Sequence, residues 1–453
     1  MIFSSPPCIV DVSADRVVGL IIRKHAARIA FLLLFPMLMT GSVQAQQADA
    51  ADSDKQTIQM LVRRIDQLEA RVAQLESGKR PTAASEPAPP PSTPAATEPG
   101  TPAEHAEPVR MDMNKTLLNI RGFGDVTFHG DTAKRDTTSF TLGQLDLFVT
   151  SDVSERFRFL SEIVFEAGPD NVFGVDIERY LLQYSPNDYF NVSVGRYHTA
   201  IGYYNTAYHH STWLQTTTGR PFLFAFEDGG GILPIHNVGV SATGLIPSGG
   251  LGLHYVAELG NGRASNSYPN TNPNVSAEAV QNIVDEHNGK SFNLAFYVRP
   301  TALRGLQAGL SVYHDNLTPI ALPNISENIF AAHAVFVRPS FEWLNEALLI
   351  RHAPNGTSRV FNTPGFYTQL SRRWGSYRPY FRYQYVNAAN AEPLFGPQVG
   401  LQHGPSIGLR YDPSESVAFK LQYDYTSRRQ LQPITGLPNQ SVNGLAAQLG
   451  FTF

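Results

Sequence analysis

Beyond about residue 117, apolar and polar residues alternate along the chain with a period of two. The segment from Gly444 to Phe453 shows it plainly: Leu445, Ala447, Leu449, Phe451 and Phe453 fall on one face, Gln448, Gly450 and Thr452 on the other. That period belongs to a strand and not to a helix. An apolar face backed by polar positions fits a wall between hydrocarbon and a wet interior, and in lipid such a wall must close on itself to satisfy its backbone. About sixteen such segments follow one another, and their connections alternate in length. The short ones, at 151–155, 185–188, 247–250, 300–304, 338–340, 374–376 and 412–415, are rich in turn formers. The longer ones fall near 130–138, 167–174, 198–235, 260–289, 315–327, 352–362, 387–404 and 427–440. Seven tight turns between eight longer loops predict an all-β fold, a transmembrane antiparallel up-and-down β-barrel of about sixteen strands with both ends on the periplasmic side. A soluble β-sandwich is the runner-up; it would need inward apolar residues and mostly short loops.

The pattern before the barrel is different. Ile29 to Gly41 is apolar but too short to span a bilayer, follows Arg23, Lys24 and Arg28, and leads into Val43-Gln44-Ala45, which has the spacing of a signal-peptidase site. Residues 1–45 therefore read as an export signal with an amino-terminal extension. Over 46–79, Ile58, Leu61, Ile65, Leu68, Val72 and Leu75 recur at spacings of three and four, and Arg64 with Glu69 and Arg71 with Glu76 occupy g and following e positions. This predicts a short parallel coiled coil and hence an oligomer. Residues 80–112 are rich in Pro, Ala, Thr and Glu, a disordered, extended spacer that could reach across a periplasm or to peptidoglycan. The barrel domain is placed at 113–453.

Charge and chemistry refine the interior. The only cysteine, Cys8, lies in the export signal, so disulfides and thiol chemistry drop out. A net charge of −4 gives no footing for nucleic acid. Strand parity sets Arg121, Asp125, Arg158, Glu162, Arg179, Arg378, Arg382, Arg410 and Lys420 opposite apolar neighbours, as pore-lining groups; Arg158 with Glu162 and Lys420 with Asp424 read as wall pairs. A barrel of this size is too wide for side chains to fill, so charged walls imply water. The longest loop is too aromatic for a surface loop and is expected to fold inward as a constriction. Its candidates are Arg196, Tyr197, His198, Tyr203, Tyr204, His209, His210, Trp213, Arg220, Glu227 and Asp228, with Arg196 on the apolar parity of its strand. His198, His209, His210 and His236 beside Glu227 and Asp228 raise metal or pH-gating readings. Adjacent histidines point to opposite sides of a strand, however, and pore lining explains them, so neither metal nor cofactor is expected.

From about 117 to 453 the chain resembles Gram-negative outer-membrane porins. Val194-Gly195-Arg196-Tyr197-His198-Thr199-Ala200-Ile201-Gly202, the aromatic loop and Gly219-Arg220-Pro221 are similar to the phosphate-selective group, and the heptads and proline spacer to porins with a periplasmic trimeric coiled coil. The resemblance implies a homotrimer in outer-membrane lipid, an inward third loop, and a terminal aromatic, Phe453, read by the barrel-assembly machinery. Where phosphate-selective relatives carry runs of lysine and arginine, this chain mixes its arginines with Asp125, Glu162, Glu166, Asp176 and Glu178. The expectation is a non-enzymatic diffusion channel for small hydrophilic solutes, anions such as phosphate or carboxylates among them. Two other readings stand beside it: a tether from outer membrane to cell wall, and a barrel-based hydrolase using Tyr208-His209-His210-Ser211.

Overall fold

The computed structural model describes residues 118–133, 137–168, 171–208, 210–227, 231–265, 283–389, 391–395, 399–429 and 440–453. The expected signal, coiled coil and spacer lie outside the described residues. The strands are β1 (Leu118–Asp131), β2 (Ser139–Leu142), β3 (Gln144–Asp152), β4 (Phe157–Ala167), β5 (Phe173–Asn187) and β6 (Phe190–His198). Then come β7 (His236–Ile246), β8 (Leu253–Gly260), β9 (Ser291–Val298), β10 (Leu306–Leu317), β11 (Ile325–Arg338) and β12 (Phe341–Pro354). The last are β13 (Phe361–Arg372), β14 (Tyr377–Asn387), β15 (Leu401–Ser414), β16 (Val417–Arg429) and β17 (Gln440–Thr452). All pair antiparallel in one sheet, which β1 closes by pairing with β17. Because β2 and β3 both pair with β1, in tandem, they are one strand broken at Gly143, and the barrel has sixteen staves. Gly143 lets Asp125 sit in the break: a Cβ there would lie 2.1 Å from the Asp125 carboxylate.

Strand ends agree with the alternation of turn lengths. The tight connections fall at one rim and the long ones at the other. The faces are those of a protein turned inside out. On β16, Phe419, Leu421 and Tyr423 are 47, 53 and 46% exposed while Lys420 and Gln422 are 3 and 5% exposed. The β16–β17 register sets Leu421 against Ala447 and Lys420 against Gln448, so apolar pairs with apolar outside and polar with polar inside. Such an exterior suits hydrocarbon and would be a large unpartnered apolar surface in water.

The inner face is not uniformly polar. Ile201, Tyr204, Leu223, Phe224, Leu233 and Ile235, from the connection between β6 and β7, pack on Tyr313, Ile329, Leu344, Leu348, Ile350 and Tyr367 of β10–β13. Each large side chain removed from water there contributes about 1.5–3 kcal/mol. The described residues of that connection, 199–208, 210–227 and 231–235, therefore lie inside the barrel on an apolar strip of wall.

Candidate functional site

The internal loop begins and ends at one place. The Thr199 N–H donates to the Ile235 carbonyl at 2.8 Å, and the Asn205 amide bridges the Thr199 and Ile235 carbonyls at 2.7 and 3.1 Å. Between these ends the loop makes one α-helical turn, Tyr204–Ala207, and two 3-10 turns, Thr212–Leu214 and Phe222–Phe224, and crosses the lumen. It is held by opposite charges on two stretches of wall. Acids of β8 and β12 take its donors: Glu258 accepts the Ala200 N–H at 3.0 Å, and Glu346 accepts the Tyr203 and Tyr204 N–H groups at 2.5 and 2.9 Å. Glu342 accepts the Tyr208 hydroxyl at 3.0 Å and the Thr216 hydroxyl at 3.2 Å. Bases of β14–β16 take its carbonyls. Arg382 donates to Gly219 O at 3.0 Å, Arg410 to Trp213 O and Gln215 O at 2.8 Å each, and Lys420 to Thr217 O at 2.8 Å and to Thr212 O. Hydrogen bonds to ionised groups are worth about 1.5–3 kcal/mol each, so this set fixes the loop.

The loop is also folded on itself. Arg220 donates to the carbonyls of Phe224 and Tyr208 and stacks on Phe226, its guanidinium 4.1 Å from the ring centre. Burial pushes the Arg220 pKa down, and burial together with the Glu342 carboxylate holds the Tyr208 phenol well above its ordinary value. Trp213 lies against the seam, 6.0 Å from the Phe123 ring and under the Arg121 guanidinium. Tyr197 is buried beside the mouth of the loop. His209 and Asp228 lie outside the described residues.

Arg196 turns inward, against its strand parity. Its guanidinium meets Glu178 at 3.2 Å, and both are buried. Two local features make this possible: a bulge in β5 leaves Glu178 without an opposite residue in β4, and Gly195, at φ +136°, breaks the alternation just before Arg196. A side chain at 195 would meet the Tyr180 carbonyl at 2.0 Å. Around Glu178 the structure gathers His198, His210 and His236, while Glu227 bonds the far nitrogen of His236 at 3.1 Å. Burial by itself raises the Glu227 pKa, but the His236 imidazole more than offsets it and the carboxyl stays below its usual range.

The remaining polar residues form other pairs than those expected. Arg158 meets Asp152 at 3.6 Å near the tight-turn rim, Glu162 meets Arg179 at 2.6 Å across two strands, and Asp424 binds Ser406 and Gln422 instead of Lys420. The physical reason is simple: residues four apart on a strand are about 13 Å apart, whereas cross-strand neighbours are about 5 Å apart. Asp125 accepts the Gln144 N–H, Arg121 donates to Thr452, and Arg378 donates to Pro339 O at 3.0 Å. Sequence reasoning did not single out Glu342 and Glu346, because β12 reads as apolar on both faces; the shared parity of Glu342, Leu344, Glu346 and Leu348 was the available signal.

Space remains on both sides of the loop. Toward the long-loop rim a cavity of about 360 Å³ is lined by Arg220, Arg382, Arg428, Asp131, Asp424 and Gln384. Toward the tight-turn rim two adjoining cavities of about 400 and 500 Å³ share Tyr203, Arg299 and Gln307.

A closed sixteen-stranded barrel with an apolar exterior and its third long loop folded inside has the fold of outer-membrane porins. No protein-family model matches the chain, and no curated protein matches its sequence. Among solved structures, the outer membrane channel DcaP of Acinetobacter baumannii is similar at a TM-score of 0.52 and 12% identity, over 76% of this chain and 99% of that one. OmpF of Salmonella typhi in complex with daunomycin is similar at 0.50 and 11%, over 75% and 98%. At such identities the likeness is one of fold.

Proposed function

We propose that this protein is an outer-membrane channel through which small hydrophilic solutes diffuse, narrowed by residues 199–235. The observation that carries the reading is the inverted barrel: an apolar belt outside, ionised and amide side chains inside, and water-sized space above and below an anchored loop. No covalent chemistry is required of it. Selection rests on the loop, which reduces an otherwise wide lumen, and on the arginines bordering the two vestibules. Arg382, Arg410 and Lys420 are tied to the loop and its neighbours, and Arg220 is folded into the loop itself, so among the described residues Arg428 borders the vestibule on one side and Arg299 and Arg304 that on the other. Asp131 and Asp424 share the first vestibule, which favours small anions such as phosphate or carboxylates only weakly. Planar-bilayer recording tests this: purified protein should give small, discrete conductance steps with a modest anion preference under a salt gradient. Absence of steps from protein shown to be folded would refute it.

A further inference from the structure

Five ionisable residues from four separate pieces of chain meet beside the mouth of the internal loop: Glu178 on β5, His198 at the end of β6, His210 in the loop, and His236 at the start of β7 with its neighbour Glu227. The distances among them are short. His236 Nε2 lies 3.0 Å from Glu178 Oε2 and 3.4 Å from His210 Nε2, and His210 Nε2 lies 3.5 Å from the same Glu178 oxygen. One ligand nitrogen each of His198, His210 and His236 falls within 4.8 Å of the others, and all three rings are buried.

Tetrahedral ligands held about 2.0–2.1 Å from a zinc ion stand about 3.3 Å from one another. The three measured separations bracket that value. The outer hydrogen bonds set the tautomers that coordination needs. His198 Nδ1 faces the Asn205 carbonyl at 2.9 Å and must carry the proton there, which makes Nε2 its ligand atom. His236 Nδ1 faces Glu227 Oε2 at 3.1 Å, again as donor, and presents Nε2 to the cluster. A carboxylate behind a ligand imidazole is the usual outer support of a bound metal. Arg196 braces Glu178 at 3.2 Å, and the Phe226 ring, 3.8 Å from that of His210 and 6° from parallel, fixes the loop ligand. Glu166, which accepts a hydrogen bond from Gln144, lies near His210 and Glu178 outside the four-ligand set. An approach path exists as well, since His198 borders the 400 Å³ cavity that adjoins the tight-turn vestibule.

We infer that His198, His210, His236 and Glu178 form a tetrahedral site for a divalent transition-metal ion, zinc by its ligand set, which staples the internal loop to β5, β6 and β7. Three imidazoles and one carboxylate suit zinc and leave no open position, so the role is structural. The sequence argument against a metal assumed that the neighbouring histidines lie on a strand. His210 lies instead in the loop, and the fourth ligand arises from a bulge that residue spacing did not reveal.

The test uses the full chain, refolded in detergent, stripped with a chelator and dialysed. Zinc retention is read by elemental analysis and affinity by competition with a chromophoric chelator; cobalt(II) supplies a visible spectrum that distinguishes four-coordinate from six-coordinate binding. The expected result is about one zinc per chain and an intense four-coordinate cobalt spectrum. Both should be lost in His210→Ala and His236→Ala, and kept in His403→Ala, whose histidine lies on β15 outside the cluster. Glu227→Gln should weaken zinc binding about 10–100-fold with the stoichiometry unchanged. His210→Cys should restore binding and add a sulfur-to-cobalt charge-transfer band, which shows that loss in His210→Ala is not a failure to fold. Equal zinc retention by wild type and His210→Ala, or a weak six-coordinate cobalt spectrum, would overturn the site. None of these readouts depends on conductance, so the site and the channel reading stand or fall separately.

Discussion

Replacing Glu346 by Gln tests whether the wall acids hold the loop. The carboxylate accepts the backbone N–H groups of Tyr203 and Tyr204 at 2.5 and 2.9 Å and the Tyr367 hydroxyl at 2.6 Å, and it is buried. A glutamine keeps the shape and one acceptor oxygen but turns an amide N–H₂ toward an N–H donor. At least one charge-assisted bond is lost, at about 1.5–3 kcal/mol, and one buried donor is left unpaired at about 1–3 kcal/mol. A central figure of about 3 kcal/mol raises the population of the locally detached loop by roughly a hundredfold. The strands do not depend on this bond, so the barrel should still fold. Hydrogen exchange of peptides covering 199–208 should accelerate by about that factor, and single-channel traces should show frequent excursions to larger current. Exchange and current noise both equal to wild type would show that the apolar strip alone holds the loop, and the reasoning from Glu346 would fail.

Other expectations concern the walls. Leu421→Arg places a cation on the hydrocarbon side and should lower stability by about 2–4 kcal/mol near the bilayer midplane, read from unfolding in lipid vesicles; a change below 0.5 kcal/mol would contradict the outward assignment. Arg428→Glu should move the reversal potential toward cation selectivity without added noise, because the residue borders the vestibule at the long-loop rim and, among the described residues, holds no carbonyl of the internal loop. Arg382→Glu removes the contacts to Gly219 and Thr217 and should change selectivity and noise together; a pure selectivity shift would separate it from the loop. Gly195→Ala must relieve a 2.0 Å approach to the Tyr180 carbonyl at positive φ, a strain of about 1–3 kcal/mol. Its signature is lowered thermal stability of the folded barrel; an unchanged melting curve would mean that β6 rearranges freely.

The barrel was largely legible in the sequence because its grammar is local. Turn formers at Pro247-Ser248-Gly249-Gly250 or Asp412-Pro413-Ser414 mark connections, and the alternation of Phe419, Leu421 and Tyr423 with Lys420, Gln422 and Asp424 marks two faces. Three things were not legible. The period of two fails at bulges, so Glu178 and Arg196 gave no readable direction. The strip formed by Leu344, Leu348 and Ile350 looks like lipid-facing wall until a loop is known to cover it. Arg382, Arg410 and Lys420 reach backbone carbonyls roughly 160 to 200 residues away, which no side-chain pattern announces.

The contact of Thr212–Leu214 with the seam bears on how the molecule is assembled. Phe123 of β1 lies beside Trp213, Gly450 of β17 approaches the Trp213 backbone, and the pairing of β1 with β17 closes the sheet. A loop that touches the first and last staves from within bridges the seam where the sheet closes. The segment emerging between β6 and β7 thus serves as a gauge against which the two ends of the sheet are brought into register. Weakening it should loosen the seam that it bridges.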